Sequence, residues 1–195
     1  MKRWLALLLL PLLASCGYNT IQRLDEQASS SQGQIEVQLQ RRADLIPNLV
    51  STVKGYATHE QETLDEVTRA RAGLVSALQT HDAGTMADAD AKLTSSLSRL
   101  MINVEAYPNL KADQSFIRLQ DELTGTENRI AVSRNDYNNA VNQYNAYIRQ
   151  FPAVFTAKVT GAKPRTYFTA TANAQQGPPT VDFSKPATTP PPAKP

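Results

Sequence analysis

This sequence predicts an all-α fold, an antiparallel up-down-up-down four-helix bundle with two long outer helices, and three observations predict it. Apolar residues recur at three and four positions across most of residues 21–151, the period of a helix with one buried face. The breaks in that pattern coincide with capping or helix-stopping residues at Thr58, at 81–84 and at Pro108. The segments between the breaks run long, short, short, long, and joints this short fold most simply as antiparallel neighbours.

The opening residues follow a different logic. Lys2 and Arg3 precede an apolar run from Trp4 to about Leu13, followed by the small residues Ala14 and Ser15, the layout of a bacterial secretory signal. The run is shorter than the ~20 apolar residues of a membrane-spanning helix, and polar Asn19, Thr20, Gln22, Arg23 and Asp25 follow it. Cys16 is the only cysteine, so no disulfide within the chain accounts for it. Leu13-Ala14-Ser15-Cys16 is similar to the lipobox of bacterial lipoproteins. The resemblance implies that residues 1–15 are removed as a signal peptide and that Cys16 carries the lipid. Acyl chains stabilised by about 0.8 kcal/mol per buried CH2 make the membrane the first expected partner. Gly17 in place of an aspartate implies, by analogy with Gram-negative sorting, an outer-membrane anchor facing the periplasm.

Each helix then has its stripe. The first is expected from Ile21 through Leu24, Ala28, Ile35, Leu39, Ala43, Ile46, Val50 and Val53 to Ala57, with an interruption in quality at 29–33. Thr58 and Gln61 read as a capping box for the second, which carries Leu64, Val67, Leu74 and Leu78. Thr85 with Asp88 restarts the pattern through Met86, Ala89, Leu93, Leu97, Leu100, Val104 and Tyr107, until Pro108 stops it. Asp113 is the N-cap of the fourth, whose stripe from Phe116 through Leu123, Ile130, Tyr137, Tyr144 and Ile148 to Phe151 keeps its register past Gly125; that register argues for a continuous helix, while a second capping box, Thr124 with Glu127, leaves a break there open. Pro152 closes it. Residues 153–168, with Lys158, Lys163 and Arg165, either cap the membrane-side end of the bundle or meet lipid headgroups. Residues 169–195 read as a disordered Pro-rich tail, with Val181-Asp182-Phe183 as its one apolar island. The domains are thus a signal peptide at 1–15, a bundle at 16–168 and a tail at 169–195.

Charge and motif content exclude several functions. Of 20 Lys and Arg against 18 Asp and Glu, removal of Lys2 and Arg3 leaves 18 against 18, so no basic excess points to nucleic acid. His59-Glu60-Gln61-Glu62 lacks the H-E-x-x-H spacing of a zinc helix, and neither His59 nor His81 follows a glutamate by three. A lipidated cysteine offers no thiol nucleophile, and no phosphate loop or nucleophile elbow is present. No metal, no cofactor and no enzymatic activity are expected.

Two long motifs resemble the LemA family. One is Arg41-Arg42-Ala43-Asp44-Leu45-Ile46-Pro47-Asn48-Leu49-Val50 with Val53-Lys54-Gly55-Tyr56-Ala57. The other is Gly125-Thr126-Glu127-Asn128-Arg129-Ile130-Ala131, followed by Tyr137-Asn138, Tyr144-Asn145 and Phe151-Pro152. Tyr107-Pro108-Asn109-Leu110-Lys111-Ala112 is similar to the family's pattern too, and the likeness runs over residues 18–183. It implies a small bacterial envelope protein with a helical bundle outside the membrane and no assigned catalysis. A lipidated cysteine stands in for the family's transmembrane anchor, and residues 29–34 lack an expected tryptophan, which bears on how the first helix packs near the membrane.

If the first helix runs out and the fourth returns, residues whose numbers sum to roughly 170 lie at one height. Arg41 and Arg42 then sit level with Asn128 and Arg129, with Glu127 able to satisfy one of the arginines, and Asp44 level with Thr126. Pro47 cannot donate to the carbonyl of Ala43, which needs a partner from Arg41, Asn48 or the fourth helix. The level reads either as a polar network fixing register or as a surface for a partner. An Asn stripe at 128, 135, 138, 142 and 145 needs a reason beyond helix propensity, and solvent exposure accounts for most of it. The expected function is a lipid-anchored envelope protein whose bundle is a non-catalytic interaction or scaffold module with an unidentified protein partner. The alternative is a bundle that binds a small ligand beside Arg41, Arg42 and Arg129.

Overall fold

A computed structural model describes residues 2–57 and 60–170, with side chains from Gly17 on. Helix α1 runs Lys2–Lys54, α2 Gln61–Leu78, α3 Ala83–Val104, α4 Pro108–Lys111, α5 Gln114–Tyr147 and α6 Ala153–Thr160. Among the described residues all regular structure is helical.

The 53-residue α1 is the spine. Ile35, Leu39, Ala43, Ile46, Leu49 and Val53 are buried along it, at the three-four spacing that lines one helix face. Helix α5 packs antiparallel along its length. Tyr56 donates to Asp113 at 2.9 Å, Arg42 meets Glu127, and Ile21 and Leu24 pack with Tyr144 and Ile148. These pairs keep the expected sum of roughly 170. Helices α2 and α3 pair with each other, and α2 lies on α1. One large core joins α1, α2, α3 and α5, and a smaller one joins Ile21, Leu24, Tyr144 and Ile148 to Ala157 of α6.

The structure has six helices among the described residues, not four, and several boundaries move. Pro108 opens α4 instead of merely stopping α3, because the first helical position tolerates a missing N–H; α3 ends earlier, at Val104. Tyr107 instead donates its hydroxyl to Glu60 at 3.1 Å, and Asn103 donates to the same carboxylate. Glu60 therefore occupies the N-cap position of α2 without capping it. Thr58, the expected cap, and His59 lie outside the described residues.

Helix α3 is capped by Asp82, not by Thr85 with Asp88. The carboxylate of Asp82 accepts from both the backbone N–H and the hydroxyl of Thr85, each at 2.7 Å, and a charged acceptor suits the positive end of a helix better than a hydroxyl does. Ala83 and Gly84 consequently belong to the helix rather than to the turn. Helix α1 is continuous through 29–33, where Gln32 donates to the carbonyl of His81 at 2.8 Å and to Glu36 at 3.0 Å. Helix α5 passes Gly125 unbroken; the Thr124 hydroxyl, which would have capped a new helix there, instead bonds back to the carbonyl of Gln120, and buried Thr126 to that of Leu123.

Helix α5 stops at Tyr147, short of Phe151, and the chain turns into α6. Gly161, at φ 72°, ends α6 in the left-handed conformation that favours glycine, while the Ala162 N–H reaches the carbonyl of Ala157 at 2.9 Å. Of the segment expected to close the bundle's end, only α6 does so; residues 162–170 turn back along α5. The expected tail is described only at Thr169 and Ala170, and residues 171–195 lie outside the described residues.

The Asp82 carboxyl is held below the usual carboxylate range by the Thr85 hydrogen bonds. Its stabilisation is present above the unfolded-state value near 4 and is lost as pH falls through the lower folded value. Asp82→Ala should cost about 1 kcal/mol at pH 7 and less as pH falls below the unfolded-state value, measured by urea unfolding across that range.

Candidate functional site

The conspicuous feature of the core is a charge inside it. Position 42 lies between Leu39 and Ile46 on the buried face of α1, and Arg42 is 2% exposed. A guanidinium removed from water must be paired. Arg42 Nη1 donates to Asp90 of α3 at 2.6 Å, and Nη2 lies 3.5 Å from Glu127 of α5. The Nε, also buried, has no hydrogen-bond partner. Burial pushes the Asp90 carboxyl up, against the pull of Arg42 and Arg134 and with the help of Glu127. Charging Asp90 therefore costs stability at neutral pH, and its contribution improves as pH falls through its raised folded value.

One residue along, Pro47 leaves the buried Ala43 carbonyl without its helical donor. The partner comes from α2: Arg71 Nε donates to it at 2.8 Å. The expected donors were Arg41, Asn48 or a side chain of the fourth helix; α2 is the helix that faces this turn. The remaining candidates lie at the surface. Arg41, Asn128 and Arg129 are exposed, as is Asn48, and exposed Asp44 accepts from Gln40 of its own helix at 2.8 Å. The structure joins Arg42 to Glu127 and adds Asp90, while Arg41 and Arg129 stay outside with their heads in solvent. Asp90 was readable in the sequence: it falls on the apolar face of α3 between Met86 and Leu93. Arg71 carried no such mark.

Above this pair, α3 and α5 stand apart and leave a groove of about 580 Å³. Ala87, Ala91 and Thr94 line one side, Ile130, Ala131, Arg134 and Asn135 the other, and Asp90 and Glu127 also border it. Phe168, Thr169 and Ala170 close the end nearer α6. The returning chain is held there by asparagines. Asn145 accepts from the Arg165 N–H at 2.8 Å and donates to its carbonyl at 2.9 Å. Asn138 does the same to Phe168, at 2.8 and 3.2 Å. Tyr137 adds a bond to the Thr166 carbonyl at 2.8 Å. Seven helical residues rise roughly 10.5 Å and three extended ones roughly 10 Å, so the two brackets match in pitch. Part of the Asn stripe thus has a structural task that solvent exposure does not describe. Arg165 pins the segment to α1, donating to Asp25 at 2.7 Å and Ser29 at 2.6 Å, with its guanidinium 6.0 Å from the Tyr144 ring centre.

His81 stands exposed on the α2–α3 turn, its Nδ1 3.1 Å from Glu36. Among the described residues no group of three or more His, Cys, Asp or Glu converges as a metal site, and no helix is long and apolar enough to cross a membrane.

Residues 31–183 match the LemA family model, the stretch that contains the buried ion pair, the proline turn and both asparagine brackets. The chain belongs to the LemA family. Similar curated proteins include magnetosome protein MamQ 2 of Paramagnetospirillum magneticum, 28% identical over 174 residues, covering 77% of this chain and 64% of the relative. Magnetosome protein MamQ of Magnetospirillum gryphiswaldense is 26% identical over the same shares. Protein LemA of Metamycoplasma hominis is 23% identical over 133 residues, 68% of this chain and 60% of that one. The LemA family chain therefore spans less than two thirds of the length of these relatives.

Two substitution series test the site. Arg42→Ala should destabilise by about 3 kcal/mol because Asp90 is left buried and unpaired, whereas Arg42→Met with Asp90→Leu should stay within about 1 kcal/mol of the parent; urea unfolding measures both. Arg71→Met should cost about 1 to 3 kcal/mol by orphaning the Ala43 carbonyl. In a Pro47→Ala background that loss should shrink, because the helix then supplies the missing donor.

Proposed function

We propose that this LemA family chain is a lipid-anchored envelope protein, mature from an acylated Cys16, whose helical bundle is a non-catalytic interaction or scaffold module. Its four long helices form an up-down-up-down bundle. One observation carries the reading: α1 runs without a break from the segment containing Cys16 to the turn that holds Arg42. The continuous helix sets the Arg42 turn, whose partners Asp90 and Glu127 border the groove between α3 and α5, roughly 40 Å from Cys16. A groove bordered by Arg134, Asn135, Asp90 and Glu127 and already occupied at one end by the chain's own backbone fits an extended polypeptide segment as its partner. The names of the relatives point to a structure and a family, not to a reaction. Gly17 after Cys16 favours the outer membrane, with the bundle facing the periplasm.

Cys16→Ser should abolish acyl labelling of the full-length chain and leave residues 1–15 uncleaved by intact mass; continued labelling would end the anchor reading. Envelope crosslinking with mass spectrometry should capture a protein partner at residues 131–135. Ala131→Trp, which fills the groove, should remove that crosslink without moving the melting temperature. A crosslink that survives it places the partner elsewhere.

A further inference from the structure

Helix α6 is built the wrong way round for a protein wholly in water. Its buried positions are small: Ala157 packs with Ile21, Leu24, Tyr144 and Ile148, and Ala153 lies by Gly17. Its bulk faces outward: Phe155 is 60% exposed and Val159 88%, and Phe151 just before the helix is 83% exposed. Phe155 and Val159, four apart in α6, lie on one helix face, and Phe151 joins them by meeting Phe155 edge to face with ring centres 6.0 Å apart. A soluble helix puts its large residues inside and its small ones anywhere; an exposed apolar face of this kind marks an interaction surface.

Position and charge identify what it meets. A β-carbon placed at Gly17 would come within 3.2 Å of Thr156 Oγ1, so α6 lies directly against the residue that follows Cys16. Tyr18, 46% exposed, adds aromatic surface next to Gly17. Arg149, Lys158 and Lys163 are exposed around the patch, and no acidic residue stands between Asp136 and Asp182 in the chain. Two phenylalanines and a valine offer on the order of 400 Å², half of the ~800 Å² per partner of a standard protein interface. That is too little for a stable dimer, but it is the composition of a surface lying at the headgroup–acyl boundary, apolar below and basic at the rim.

We infer that α6, with Phe151, Phe155 and Val159 as its insertion face, docks on an anionic lipid bilayer beside the attachment point of Cys16 and sets the bundle's orientation on the membrane. The inference deepens the membrane-anchored reading, and its test separates the two. The only tryptophan of the chain is Trp4, within the residues read as removed, so Phe155→Trp places a single indole on the patch and Tyr56→Trp a control at the far end. Each protein is purified from its host membrane, its acylation read by intact mass, and reconstituted with vesicles of phosphatidylethanolamine and phosphatidylglycerol. At Phe155→Trp the indole should be quenched several-fold more by lipids brominated near the headgroup than at Tyr56→Trp, and should be shielded from iodide. Phe151→Ser with Val159→Ser should abolish the difference while the helical melting curve stays in place. Bromolipid quenching no greater than that of the control, or shielding that depends on protein concentration and not on vesicles, overturns the inference. Loss of acylation with quenching retained would remove the lipid anchor and leave the docking face standing.

Discussion

A guanidinium enclosed by helices sets the terms for the rest of the molecule. Arg42 cannot lie beside Leu39 and Ile46 without counter-charge, and the counter-charge comes from two other helices, Asp90 of α3 and Glu127 of α5. The next residue, Ala43, is tied to α2 through Arg71 because Pro47 has freed its carbonyl. All four long helices are thus referenced to a single turn of α1. The aliphatic stripes provide most of the stabilisation, but they tolerate sliding by a turn, since one leucine replaces another. The polar turn does not, because a shift of one turn would leave a half-buried carboxylate, a buried guanidinium and a buried carbonyl unpaired at once. The raised Asp90 carboxyl fits a pair whose burial cost offsets much of its attraction.

The same principle governs the returning segment. A chain without regular structure can lie against a helix only if its backbone groups find partners, and Asn is the side chain that supplies a donor and an acceptor at once. Asn138 and Asn145 each satisfy both groups of one residue, so the helix presents something like a sheet edge. What this edge reads is backbone, with Phe168 and Arg165 adding side-chain anchors. The groove continues past Ala170 with Asn135 and Arg134 on its wall.

How much of this was legible depended on whether the determining contacts were local. Most of the helix faces, the Asp113 cap and the continuity of α5 follow from period and local chemistry, but Leu49 takes the buried place expected of Val50, and Phe151 falls outside its stripe at 83% exposure. The pairing of α1 with α5 followed from antiparallel geometry alone, which brought Arg42 to Glu127. Asp90 interrupts an apolar stripe and could have been found by the rule that marked Arg42. Arg71 could not, because whether a surface-facing arginine of α2 meets Ala43 is decided by how two helices sit on one another. The brackets were half legible: an excess of Asn in a helix was visible, but its partner was a segment with no pattern of its own. The cap of α3 was misplaced because Asp82, read as part of a polar turn, accepts from both the N–H and the hydroxyl of Thr85, and α2 opens after Glu60, whose carboxylate is taken by Asn103 and Tyr107 from distant sequence.

The two cores of the molecule also differ in what they leave for the surface. Around Arg42, α1 is covered by three helices and every large residue of its inner face is buried. Toward Gly17 the α2–α3 pair has ended, and α6 takes its place with two alanines. An alanine-faced helix lets backbones approach closely but contributes little burial, so this end is the weaker one as an isolated body. A protein that needed only stability would have turned Phe155 inward, where it would bury an aromatic side chain of 150–250 Å². That the aromatic stays outside while the alanine fills the core implies that the outer face has an occupant of its own. Burial forgone inside the fold is recovered at that contact.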